Sequence, residues 1–133
     1  MGDKMILNEK EVQTCLEYAL KPLLKTYAIY IKESQLSLLD DYIEIKAVVI
    51  YQDHVFDLHT SFMIGYKNKS FCFYNVEGKV EYLFLQLSLF GILQQVLVND
   101  HVRFTDKACY YECDLPIEKL SIQNQQMHVI LKE

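Results

Sequence analysis

One change of hydrophobic period constrains this chain more than any other feature. Up to Tyr27, the residues Val12, Cys15, Leu16, Ala19, Leu20, Leu23, Leu24 and Tyr27 recur at steps of three and four. That is the apolar stripe of an amphipathic helix. Asn8 is a good N-cap for it, with Glu11 three residues on, the spacing of a capping box. After the helix the step becomes two. In "YIEIKAVVIYQ", Ile43, Ile45, Ala47, Val49 and Tyr51 face one way and Glu44 and Lys46 the other. In "HVFDLHTSFMIGY", Phe56, Leu58, Phe62 and Ile64 stand opposite Asp57, His59 and Ser61. These are half-buried strands of an antiparallel sheet. A chain with one helical stripe followed by a long alternating stretch is an α+β chain.

The rest of the chain divides at its turn residues. "AIYIKESQLSLL" is a further strand, turning at Asp40-Asp41, and "QDH" is a hairpin turn. "YKNKS" and "NVEGK" are expected to be turns on either side of "SFCFYNV". "HVRFT" and "ACYYECDL" form a hairpin through Asp106-Lys107, and "KLSIQNQQMHVILKE" forms another, turning near Asn124. Pro22 removes a backbone donor, so the first helix is expected to kink or to end early, near Leu20. The stretch from Glu81 to Val98 carries a single charge, at Glu81. From Lys79, "KVEYLFLQL" is expected to be one strand, apolar on both faces and so covered on both. Ser88 then caps a short helix, "LFGILQQVLV", with Leu89, Ile92, Leu93, Val96 and Leu97 on its apolar side and Gln94 and Gln95 in water. The fold class expected is α+β. A long N-terminal helix packs on a curved antiparallel sheet, and the short second helix precedes the C-terminal hairpins.

At 133 residues the chain fits a single domain, 1–133. Hydrophobic residues at 51% and charged residues at 23% are those of a globular chain. The formal charge of −5, with no basic cluster, argues against nucleic acid, whose binding rests on neutralising phosphates. No transmembrane segment is expected, because the charge-free run contains Gln86, Ser88, Gln94 and Gln95 and is short of the ~20 apolar residues that a span needs. "MGDKMILNEKEV" is not a signal peptide. The expectation is therefore a cytoplasmic protein as the sequence is written, and an extracytoplasmic one if an N-terminal anchor precedes it.

Chemistry-bearing motifs are sparse. Cys15, Cys72, Cys109 and Cys113 contain no C-x-x-C pair, so redox and zinc-ribbon readings lack their spacing. Four structural thiols suit a reducing compartment. Asp57 and His59 share a strand face, where an Asp–His contact would orient a base or a metal ligand; a solvated sheet face gives the same pattern. His54 and His101 fall in turns, and His128 points away from the apolar side of its strand, towards solvent or a partner. G-x-S-x-G and glycine-rich phosphate loops are absent. No catalytic residue, metal ligand or cofactor is expected, and the chain is expected not to be an enzyme.

Three segments carry a family resemblance. "ILNEKEV" is similar to the start of the first helix in uncharacterised bacterial cell-envelope families that wrap a curved antiparallel sheet around a helix. "VEGKVEYLFLQLSLFGILQQVL" resembles their strand leading into a short helix, and "CDLPIEKLSIQNQQMHVIL" their closing hairpin. The resemblance implies the helix-and-curved-sheet fold. By likeness to tubular lipid-binding proteins, it also implies a lipid or fatty acid held between helix and sheet. The chain departs from these families in having no export signal and in its four cysteines.

Two readings stay open. One is a non-enzymatic binding module for an apolar small molecule, with Leu16, Leu20, Leu24, Tyr82, Phe84, Leu89, Phe90 and Leu93 lining the pocket. The other is a protein-interaction or homo-oligomerisation domain, such as a homodimer, that uses the same apolar surface.

Overall fold

The computed structural model describes residues 3–96 and 100–132, with the side chains of Leu23 and Val96 left aside. Its elements are β1 (Lys4–Leu7), α1 (Glu9–Thr26), β2 (Ile29–Leu39), β3 (Tyr42–Tyr51), β4 (His54–Lys67) and β5 (Ser70–Tyr82). They are followed by β6 (Leu85–Ser88), α2 (Leu89–Val96), β7 (Val102–Phe104), β8 (Ala108–Glu112), β9 (Ile117–Gln123) and β10 (Gln126–Leu131). The α+β class is therefore present, and every strand pairing among the described residues is antiparallel. The strands form two sheets. The larger runs β2-β3-β4-β5-β8-β7 with β6 also beside β5; the smaller runs β1-β10-β9.

The alternating residues explain the core. Leu36, Leu38, Ile43 and Phe62 of the large sheet meet Ile117, Leu120, Ile122, Met127 and Val129 of the small one, with Val12 of α1 beside them. Leu38 is fully buried. At ~1.5–3 kcal/mol for each large apolar side chain taken from water, this two-sheet contact is the main source of cohesion at that end.

Helix α1 is attached by two different stripes. Val12 and Leu16 pack on the core. Glu9, Gln13 and Glu17, four residues apart and so on one side, reach the backbone edge of β2. Glu9 Oε2 accepts the Leu38 N–H at 2.6 Å. Gln13 Nε2 donates to the Ser34 carbonyl at 3.2 Å, and the Ser34 hydroxyl donates to Glu17 Oε1 at 2.8 Å. These bonds satisfy groups that an open edge strand would expose. The capping box is present: Asn8 Oδ1 accepts the Glu11 N–H at 2.8 Å, and Glu11 Oε1 accepts the Asn8 N–H at 3.0 Å. The helix does not end near Leu20. It continues through Pro22 to Thr26, whose hydroxyl donates to the Pro22 carbonyl at 2.9 Å.

One turn expectation and one strand expectation need correction. "NVEGK" is not a turn: β5 runs straight through it. Ser61 pairs with Glu77 and Met63 with Tyr74, so Phe62 faces two residues, Asn75 and Val76. That is a bulge, with Asn75 at φ 49°, and it bends the strand without reversing it. The reversal comes later. "KVEYLFLQL" is not one strand but a hairpin, with Tyr82 paired to Leu85 and Lys79 to Ser88 around a two-residue turn at Leu83-Phe84. The bulge also divides the outer edge of β5. β8 pairs with Ser70–Tyr74 and β6 with Lys79–Tyr82. β1, which hydrophobic period alone does not show, pairs with β10.

Candidate functional site

The large sheet has one polar face, ordered in rungs. Glu44, Ser61 and Glu77 lie across from one another on β3, β4 and β5. The next rung is Lys46, His59 and Lys79, and the next Val48, Asp57 and Glu81 with Glu33 on β2. Acidic, basic and acidic rungs thus succeed one another, so opposite charges are diagonal neighbours rather than directly across. His59 Nε2 lies 3.4 Å from Glu44 Oε2, so the histidine partners Glu44 rather than Asp57. An open concavity of about 950 Å³ lies over this face, lined by Lys46, Asp57, His59, Glu77, Lys79 and Glu81 among others.

The alternation ends one rung before the sheet does. Tyr30, Ile50 and Val55 form the last rung on this same face. On the other face at that end stand Ile29 and Tyr51, paired with each other. Tyr82 and Leu85 are likewise paired with each other at this end, at the base of the β5–β6 hairpin. Apolar residues stand on both faces here, with more exposure on the polar-rung face: Tyr30 is 75% and Val55 50% exposed, against 39% for Tyr51. Level with this last rung by the β4–β5 register, the Leu83-Phe84 turn is 81% and 89% exposed. Leu85 and Leu87 of β6 are exposed as well.

The base of this hairpin is held firmly. The Tyr82 ring packs on Phe56 with centroids 4.9 Å apart, and its hydroxyl meets His54 Nδ1 at 2.7 Å. The turn itself is strained: Leu83 has φ 56°, a left-handed conformation that glycine or asparagine takes freely and that costs a leucine about 1–3 kcal/mol.

The eight residues expected to line a pocket occupy three places. Leu16, Leu20 and Leu24 are half-buried on α1, which packs on β2. Leu89, Phe90 and Leu93 are half-buried on α2, which packs on β5 and β6, with the Phe90 ring 5.7 Å from that of Phe104. β2 and β5 are three strand spacings apart, about 14 Å. Tyr82 and Phe84 sit at the hairpin, and Phe84 points into solvent. None of the eight lines the concavity over the polar face. Ser88 does cap α2, its Oγ accepting the Gly91 N–H at 3.2 Å, and Gln94 and Gln95 are exposed. Leu97 and Val98, expected to extend this helix, lie outside the described residues.

All four cysteines are free thiols. Cys15 is exposed although it belongs to the apolar stripe and its stripe neighbours Val12 and Leu16 pack on the core. Cys72 is buried. Beside it the Tyr74 phenol is pushed up to about 12, first by its hydrogen bond with Cys72 and then by burial, with the charges of Cys72 and Tyr110 adding to both. Burial also raises the Cys109 thiol, which makes it a poor nucleophile. His128 does not simply face solvent: its Nε2 is enclosed without a hydrogen-bond partner among the described residues. No group of three or more His, Cys, Asp or Glu side chains comes together there to hold a metal, and no helix there is long and apolar enough to cross a membrane.

Comparison with family models, curated proteins and solved structures finds no match to this chain. The site must be argued from its own geometry. The feature that sequence reasoning missed is the exposed Leu83-Phe84 turn. Two large apolar residues in a turn run against every turn propensity, which is why the segment reads as a strand.

Proposed function

We propose that this protein is a non-enzymatic binding module that engages an apolar partner with the open end of its large sheet rather than by enclosing a ligand. One observation carries the reading. Leu83 and Phe84 stand almost wholly in water at the tip of a hairpin whose base is fixed by Tyr82, His54 and Phe56. Exposed apolar surface that is contiguous and rigidly presented marks an interaction site. The strain at Leu83 supports the same reading, because a glycine or asparagine there would relieve the backbone and lose the side chain.

The test is site-specific photo-crosslinking in the cell. A benzoylphenylalanine at position 84 should give adducts that the same group at position 18 does not, since Tyr18 is an equally exposed aromatic on α1. Equal labelling at the two sites, or none at 84, overturns the reading.

A further inference from the structure

The free edge of β6 fits a second copy of itself: we propose that two molecules of this chain join their β6 strands edge to edge, antiparallel about a two-fold axis at Gln86. The inference names the partner of the open end, and in that it rests on the binding-module reading above.

The edges of the large sheet are not treated alike. Along β2 the edge is covered by Glu9, Gln13 and Glu17 of α1. The edge strand β7 carries Arg103. Cover and charge are devices that keep an edge strand from pairing. β6 lies beside Lys79–Tyr82 of β5, with no strand on its other side among the described residues. Its sequence, Leu85-Gln86-Leu87-Ser88, has no charge, no proline and no bulge, and all four residues are exposed.

Hairpin geometry decides which backbone groups this edge offers. Tyr82 and Leu85 flank a two-residue turn, so they form a hydrogen-bonded pair. Bonded and non-bonded pairs alternate along an antiparallel ladder. Val80 and Leu87 are therefore the next bonded pair. The N–H and C=O of Gln86 and the N–H of Ser88 turn to the open side, where no backbone group of the described residues meets them. Donors and acceptors at strand spacing are matched by another extended backbone.

The β6 sequence is its own match. With the axis at Gln86, the two Gln86 residues form a bonded pair, and each Ser88 N–H meets the Phe84 carbonyl of the other copy. Leu85 of each copy then lies directly opposite Leu87 of the other, which brings four exposed leucines together on one face. Leu83 and Phe84 come to lie beside Leu89 and Ser88 of the other copy. Such a contact is isologous and closes at two chains. Charge permits it. On the polar face Gln86 Nε2 donates to Glu81 Oε1 at 3.1 Å. The two Glu81 strands stand three strand spacings apart across the axis, about 14 Å, beyond the ~8–10 Å over which salt screens surface charges. A charge at position 86 would face its own like.

Sedimentation equilibrium of the full chain should show a monomer–dimer equilibrium that moves towards dimer with concentration. Gln86→Pro removes an N–H that β5 does not use, so the melting temperature should hold while association falls at least about tenfold, two hydrogen bonds being lost at a symmetric contact. Gln86→Glu and Gln86→Lys should each weaken the dimer alone, and an equimolar mixture of the two should restore it. The Gln86 and Ser88 amides should exchange more slowly as protein concentration rises.

A monomer at every concentration overturns the proposal. So does a dimer that the three substitutions at position 86 leave intact. If the chain is monomeric while residue 84 still crosslinks selectively to another protein, the module reading stands and the second copy falls. If residue 84 gives no selective adduct either, both fall.

Discussion

The two ends of the large sheet are built from the same alternating strands and have opposite fates. At one end Leu36, Leu38, Ile43 and Phe62 disappear under β9 and β10. At the other, Tyr51, Val55, Leu83 and Phe84 meet water. Hydrophobicity does not separate them. What differs is whether a second layer arrives: the small sheet is three strands wide and covers part of the large one. An apolar residue on a strand is thus a request for cover, and the chain itself answers that request at one end only.

The comparison can be broken most strongly by truncation. Leu38→Ala should cost about 2–5 kcal/mol, by lost transfer energy and a cavity, whereas Phe84→Ala should change stability by less than about 0.5 kcal/mol. Chemical denaturation of the two variants measures both; a large loss at Phe84 would mean that the tip is packed after all. Gly78→Ala comes next. A Cβ there would stand 2.8 Å from both Cβ and Oγ1 of Thr60, inside a buried rung where Thr60 Oγ1 already donates to the Glu77 carbonyl. Overpacking of this kind should cost about 1–3 kcal/mol by the same assay.

Tyr66→Phe is expected to be milder, about 1–2 kcal/mol. The Tyr66 hydroxyl donates to the Cys113 carbonyl at 2.7 Å and accepts the Leu115 N–H at 2.8 Å, tying the β8–β9 connection to β4. Amide exchange should quicken at Leu115 before the core responds.

The smallest effect is spectroscopic. In an alkaline titration a phenolate step should appear near pH 12, and Tyr74→Phe should remove it. The sign follows from the raised value. Unfolded tyrosine ionises near 10, so the unfolded chain releases this proton first. Tyr74 therefore contributes stability below about pH 10 that is lost as pH climbs towards 12.

Much of the fold was legible because its signals are local. The Asn8–Glu11 cap, the Asn124 hairpin and the buried set Leu120, Ile122, Met127 and Val129 follow from spacing alone. The failures share a cause: the backbone does something that the side chains do not advertise. Asn75 absorbs a bulge inside "NVEGK", and Leu83 takes a left-handed turn normally left to glycine. Glu9, Gln13 and Glu17 stand off the apolar stripe of α1, and hydrophobic period alone says nothing of their partners, which are the donors and acceptors of an edge strand. The far end of the sheet was half legible. Its apolar surplus is visible around Glu81–Val98, but its exposure depends on which strands the small sheet reaches, and no local pattern encodes that.

The pairing of β1 with β10 has a consequence for the order of synthesis. The Leu131 N–H bonds to the Asp3 carbonyl at 2.8 Å, so the small sheet joins the earliest and latest described segments of the chain. Helix α1 and the β2–β5 hairpins make short-range contacts and can form as they leave the ribosome. β9 and β10, which bury Leu38, Ile43 and Phe62, are translated after all of these. At ~5–20 residues per second, those side chains wait for their cover for on the order of several seconds. During that interval both ends of the sheet are equally bare.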